Sequence, residues 1–201
     1  MNAPTDETLL AAATTGAAIS STLATFATSL QFEDIPSRVV ERAKLHVLDC
    51  IGIGLASSGF EFGQRTINAL VGLAGAGPYP VLGTPLGLPL RDAVLANGTL
   101  IHGLDFDDTH AGGVIHASAS AVPTALAIGQ RERASGRDVL AAYLVGIETA
   151  SRIAQAAMGG FHRVGFHPTG LVGACPSSRG HPSRSVSPWR KTQHPSICLR
   201  P

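Results

Sequence analysis

Apolar positions along the chain recur at helical intervals and almost nowhere alternate. Ile19, Leu23, Phe26 and Leu30 follow one another at four, three and four residues, one stripe of an amphipathic helix. Asp34-Ile35-Pro36 closes that segment, and the fixed φ of proline suits the first turn of a second helix. Val40, Val47, Leu48, Ile51 and Leu55 predict its apolar side, and Ser57-Ser58-Gly59 its end. A third helix is predicted over 62–74, with Ile67, Leu70, Val71 and Ala74 together. It stops at Gly75-Ala76-Gly77-Pro78, which cannot continue a helix.

Residues 79–87 read as extended or looped, with at most one short strand at 80–82. The helical pattern returns over 90–104 and runs straight into Asp105-Phe106-Asp107-Asp108. A loop rich in Gly, Ala, Ser and His is predicted over 109–120. Further helices are predicted over 121–134 and 137–158, parted by Ser135-Gly136. Leu140, Leu144, Ile147 and Ile153 give the apolar side of the latter. A glycine-rich loop over 159–170 then precedes a final apolar start at Leu171. No internal repeat is present. The predicted fold class is all-α.

Composition narrows this further. The 201 residues suffice for one domain with a real core and are short for two. Hydrophobic residues make up 44% and charged residues 14%, which excludes wholesale disorder. Only 5% are aromatic while 29 are alanine, a balance suited to closely packed helices rather than a sandwich or barrel. A net charge of +1 provides no field for nucleic acid or an anionic membrane. Residues 8–32 carry no charge, yet nine of their first 23 positions are Ser or Thr, too polar for a bilayer span. Asp6 and Glu7 stand where a secretory signal needs basic residues. The expectation is a helix packed inside a soluble protein. Cys50, Cys175 and Cys198 are too few and scattered for a disulfide framework or a zinc knuckle, so a reduced, cytoplasmic setting is expected.

The charge is unevenly spread. Residues 175–201 hold five Lys/Arg, no Asp/Glu, six serines and five prolines. Ten basic residues against fourteen acidic ones remain in 1–174, a net −4 for the body against +5 for the tail. The expectation is a helical domain over 1–174 and a disordered tail over 175–201, the abrupt break after Ala174 reading as a frameshift.

Five of the eight histidines (His102, His110, His116, His162 and His167) lie within 66 residues, around the one dense acidic group. Solvated acids at a helix end are one explanation. A divalent metal held by His and Asp is another, although the spacing matches neither an HExxH helix nor an EF-hand loop. Asp105-x-Asp107-Asp108 fits the DxDD acid motif of one class of terpene cyclases, but ten aromatic residues cannot line a carbocation cavity. Proton transfer next to a carboxylate fits better, because imidazole titrates near neutrality and neither a nucleophile motif nor a cofactor loop is in view. His116 and His167, both in glycine-rich loops, are the candidate acid and base. A buried Asp105 would orient one imidazole or raise its basicity.

The ordered set Asn97-Gly98, His102-x-x-Asp105-Phe106-Asp107-Asp108-Thr109, His116-x-Ser118, Ser135-Gly136 and Gly165-Phe166-His167-Pro168-Thr169-Gly170 resembles the MmgE/PrpD family. Ile35-Pro36…Ala43-Lys44…Leu48-Asp49-Cys50-Ile51-Gly52 resembles that family's second helix, and the likeness covers about residues 20–174. The family includes 2-methylcitrate dehydratase, cis-aconitate decarboxylase and iminodisuccinate epimerase. The resemblance implies a helical N-terminal domain, a homodimer, no metal or organic cofactor, and a small polycarboxylate substrate. By position it implies active-site roles for Asp105, Thr109, His116 and His167. Ala117 departs from it, since proline usually follows the first loop histidine.

The family's chains continue for roughly as long again, through a basic active-site residue and an α+β domain. The expectation is therefore an incomplete cofactor-independent lyase, weakly active or inactive by itself, whose parent reaction is best read as 2-methylcitrate dehydration. Decarboxylation and epimerisation are the alternatives within the family. Outside it stand a non-catalytic helical module that dimerises through alanine-rich faces and a metal-dependent hydrolase.

Overall fold

The computed structural model describes the chain over residues 6–173, and side chains from residue 18 onward. Among the described residues there are eight α-helices and one two-stranded sheet. The helices are α1 (Asp6–Ser29), α2 (Ser37–Ser57), α3 (Glu61–Ala74), α4 (Leu90–His102), α5 (Ser118–Glu132), α6 (Gly136–Ala156), α7 (Gly160–Arg163) and α8 (Pro168–Val172). A 3-10 turn, Phe32–Asp34, joins α1 to α2. Strands β1 (Tyr79–Pro80) and β2 (Gly87–Leu88) pair antiparallel, Tyr79 opposite Leu88 and Pro80 opposite Gly87. The fold is all-α, as the periodicity predicts.

Helix α4 sits at the centre, packed against α2, α3 and α5, while α5 packs on α6. Close approach is possible because the facing residues are small. One cluster joins Ala43 and Cys50 of α2, Ile101 of α4, Ala119, Ala121, Val122 and Ala125 of α5, and Ala142 and Tyr143 of α6. A second gathers Ile67, Leu70, Val81, Leu88, Ala93, Ala96 and Leu100 around α3, α4 and the sheet. A third, Ile115, Ala117, Ala150, Ala154 and Val172, closes the end of the molecule that carries the histidines. At Gly98 a Cβ would stand 3.1 Å from the Ala119 carbonyl oxygen, so the absence of a side chain sets the α4–α5 approach.

The buried side of α2 differs from the predicted one. Val40, Ala43, Cys50, Gly54 and Ser57 face the core, while Leu48 is 65% exposed and Leu45 and Leu55 also face outward. The core demands small side chains where α2 meets α4 and α5, so the bulkier leucines rotate away. Burial of the first helix is only partial too, for α1 packs mainly on α6 and Ile19 is exposed. No helix among the described residues is long and apolar enough to cross a membrane. Helix α5 begins a turn earlier than predicted, at Ser118, which leaves Pro123 inside it. Helix α8 begins at Pro168 rather than Leu171, and α7 lies within the predicted loop 159–170. The expectations for 175–201 lie outside the described residues.

Candidate active site

His102 is the last residue of α4. Beyond it the chain turns sharply: the Asp105 N–H donates to the His102 carbonyl at 2.9 Å, and Asp105 takes the left-handed φ of +56°. Aspartate is among the few non-glycine residues that tolerate this region. The reversal returns Asp107 beneath the imidazole, with His102 Nδ1 3.1 Å from Oδ1 and 3.2 Å from Oδ2. Asp107 is 3% exposed.

The second arm comes from the loop between α4 and α5. His110 and Ile115 pair as an isolated bridge, and the Gly113 N–H donates to His110 Nδ1 at 3.0 Å. Ile115, fully buried, anchors the loop among Ala150, Ala154 and Val172. A Cβ on Gly113 would stand 2.6 Å from that of Ala154, so only glycine lets the loop lie this close to α6. His116 follows directly. Its Nδ1 lies 3.3 Å from Asp107 Oδ1 and 3.4 Å from the Asp107 carbonyl oxygen, and its Nε2 lies 3.5 Å from Asp105 Oδ1. The His116 backbone N–H donates to Thr169 Oγ1 at 3.1 Å, tying the loop to α8.

His167 immediately precedes α8, and its ring centroid is 6.1 Å from that of His102, which is 5.0 Å from that of His116. Three imidazoles therefore share one small region, two of them on one buried carboxylate. With the Nδ1–H of His102 donating to the Asp107 carboxylate and that of His116 to the Asp107 carbonyl oxygen, each Nε2 is left to accept or deliver a proton, that of His116 beside Asp105.

Of the four residues named from the sequence, Asp105, His116 and His167 come to this region. Thr109 is exposed in the loop. The expectation of a buried Asp105 is corrected: its side chain is 78% exposed, because the left-handed turn places it at the rim. Asp107 occupies the interior instead. The residues that sequence reasoning did not single out for the site are thus Asp107, His102 and Thr169. All three stand within the motifs quoted for the resemblance, but nothing in their spacing distinguishes them from their neighbours.

One ligand atom from each of His102, Asp105, Asp107 and His116 falls within 4.8 Å of the others. Two imidazoles and two carboxylates are a donor set that a divalent ion such as zinc or manganese accepts. The same arrangement, without an ion, is a hydrogen-bonded acid–base cluster.

This helical architecture and its histidine-bearing loops have a family. The sequence model of the MmgE/PrpD N-terminal domain matches residues 21–180, and the chain belongs to that family. Among curated relatives it is similar to the human cis-aconitate decarboxylase, 32% identical over 167 residues, covering 80% of this chain and 34% of the relative. The mouse cis-aconitate decarboxylase is 30% identical over 161 residues, covering 74% and 32%. That of Aspergillus terreus is 28% identical over 162 residues, covering 78% and 33%. The chain thus spans about a third of the length of the curated relatives it matches.

Proposed function

We propose that the chain carries the helical, histidine-bearing part of a cofactor-independent lyase that moves protons next to a carboxylate of a small polycarboxylic acid. The observation that carries this reading is the convergence of His102 and His116 on the buried Asp107, with His167 alongside. His116 and His167 are the acid and base; Asp107 holds His116 from below, and His167 stands beside His102. Asp105 at the rim and Thr109 in the loop face the substrate side. Relatives named as cis-aconitate decarboxylases make decarboxylation of cis-aconitate the first reaction to assay. Dehydration of 2-methylcitrate, which the resemblance suggested, is the second. Both pass through electron density developing beside a carboxylate, so one imidazole pair can serve either.

The outward Leu45, Leu48 and Leu55 of α2 support association with a second copy of the chain, and the cysteine usage supports a cytoplasmic setting. The experiment is a histidine-selective NMR titration of the 201-residue protein with cis-aconitate and with 2-methylcitrate. Saturable shifts at His102, His116 and His167 together, beyond those caused by acetate at equal ionic strength, are the expected result. Shifts no larger than those with acetate would remove the reading.

A further inference from the structure

Behind the histidines lies a second polar chain that the proton-transfer scheme does not use. The Tyr143 hydroxyl, on α6, lies 2.7 Å from Ser118 Oγ and 3.2 Å from His46 Nδ1 of α2. Tyr143 is 1% exposed and Ser118 is fully buried. A phenol oxygen donates one hydrogen bond and accepts another, so the three groups link head to tail in either sense. The buried Cys50 of α2 packs in the same core cluster as Tyr143. Ser118 is the first residue of α5, where a backbone N–H has no partner within the helix. Asp108 supplies one, its Oδ1 accepting from the Ser118 N–H at 3.1 Å.

The register gives this chain its meaning. Asp108 follows Asp107, and Ser118 stands two residues after His116. The Ser118–Asp108 bond therefore clasps the acidic turn to the start of α5, immediately beside the place where His116 meets Asp107. Helices α2 and α6 hold Ser118 from the other side through Tyr143, itself bonded to His46.

We propose that Tyr143 is a positioning residue for the His116–Asp107 pair, acting through Ser118 and Asp108; the inference rests on the proton-transfer role given above to that pair. The hydrogen bonds of the Tyr143 hydroxyl go to Ser118 and His46, not to the histidines of the site. Tyr143 fixes Ser118, Ser118 fixes Asp108, and the backbone between them sets which nitrogen of His116 faces Asp107. Burial raises the pKa of the Tyr143 hydroxyl, so the link stays protonated throughout the working range of an imidazole.

The test reads the imidazole and needs no substrate. Nitrogen-15 spectra of the 201-residue protein report the tautomer of each neutral histidine. His116 is expected to be a single Nδ1–H tautomer in the wild-type protein. Tyr143→Phe and Ser118→Ala should each turn it into a mixture of both tautomers while the helical circular dichroism is retained. An unmixed Nδ1–H signal in either folded variant would reduce Tyr143 to a packing residue and overturn the proposal. If Tyr143→Phe does not fold, Ser118→Ala alone decides. A lost tautomer together with an unresponsive polycarboxylate titration would sink the proposed reaction and leave the positioning role standing.

Discussion

His116 Nδ1 stands 3.3 Å from Oδ1 of Asp107, and the same carboxylate oxygen is 3.1 Å from His102 Nδ1. One buried residue thus lies against two imidazoles, His102 through its carboxylate and His116 through both its carboxylate and its carbonyl oxygen. Both carboxylate oxygens lie against His102 Nδ1, at 3.1 and 3.2 Å, and a carboxamide replaces one of them by an N–H₂ that faces the Nδ1–H donor to donor. Asp107→Asn should therefore loosen the His102 ring and leave the buried N–H₂ unmatched, while His116 keeps the Asp107 carbonyl oxygen as acceptor. The expected cost is about 1–3 kcal/mol in urea unfolding, the range for stranding a buried polar group. Unchanged stability and unchanged imidazole tautomers would show that the contacts carry no weight.

The loop that presents His116 depends on a missing side chain. Gly113→Ala would bring a methyl group 2.6 Å from the Ala154 Cβ and 3.2 Å from His110 Nδ1. Neither neighbour is the far end of a flexible chain, so the loop must lift from α6. Destabilisation of roughly 1–3 kcal/mol is expected, as for other overpacked sites. Thermal unfolding measures it, and the His116 signals should move as well. A variant as stable as the parent with His116 unmoved would mean that the loop is not seated on Ala154.

Cys50 gives a pH dependence. Burial, reinforced by the charges of Asp108, Asp107 and Asp49, pushes its thiol up from 9.0 to about 12. The unfolded chain sheds this proton first, so between those values the folded form binds more protons and stability falls as pH rises. Below about 9 the contribution is fully present; it is lost on passing through about 12. Urea unfolding across this interval should show the decline, with a shallower slope in Cys50→Ala. At neutral pH the peptide containing Cys50 should remain unalkylated by iodoacetamide until the protein unfolds. Rapid labelling in the folded state would contradict its burial.

Metal content separates the acid–base cluster from a metallohydrolase. On the proposed function, His102, Asp105, Asp107 and His116 act without an ion. Exhaustive treatment with a chelator should then leave the melting temperature and the histidine spectra unchanged. Stoichiometric zinc, iron or manganese in protein purified without added metal would favour the hydrolase.

Much of the fold is legible in the spacing of apolar residues, because a helix repeats locally and its breakers are local too. Ser57-Ser58-Gly59 and Ser135-Gly136 end or begin helices where they should, the latter with Ser135 and Asp138 forming a reciprocal cap. The buried side of α2 was legible only at Val40 and Val47. Size favours Leu48 and Leu55 as core residues, but they face outward, and α2 meets the core with Val40, Ala43, Cys50 and Gly54, with Val47 packed alongside. The start of α5 was hidden for a related reason: its first N–H is capped by Asp108, ten residues upstream, rather than by a neighbour.

The candidate site divides in the same way. Residue types and their crowding indicated that imidazoles and carboxylates matter, but not which carboxylate turns inward. Asp105 and Asp107 are equivalent in composition and differ by one left-handed φ, a property of the turn after His102. Thr169, 53 residues from His116, joins the site only through α8.

Turnover in a full-length chimera tests the proton-transfer role of the histidines most directly. In it, residues 21–173 of this chain replace the matched segment of the human cis-aconitate decarboxylase. Release of carbon dioxide from cis-aconitate by the chimera, and its loss on His116→Ala or His167→Ala, are expected. The fall should be ~10²–10⁴-fold for each, the usual contribution of a general acid or base, with circular dichroism unchanged. A chimera whose turnover survives both alanine substitutions would contradict the account, because the histidines gathered around Asp107 would then be structural.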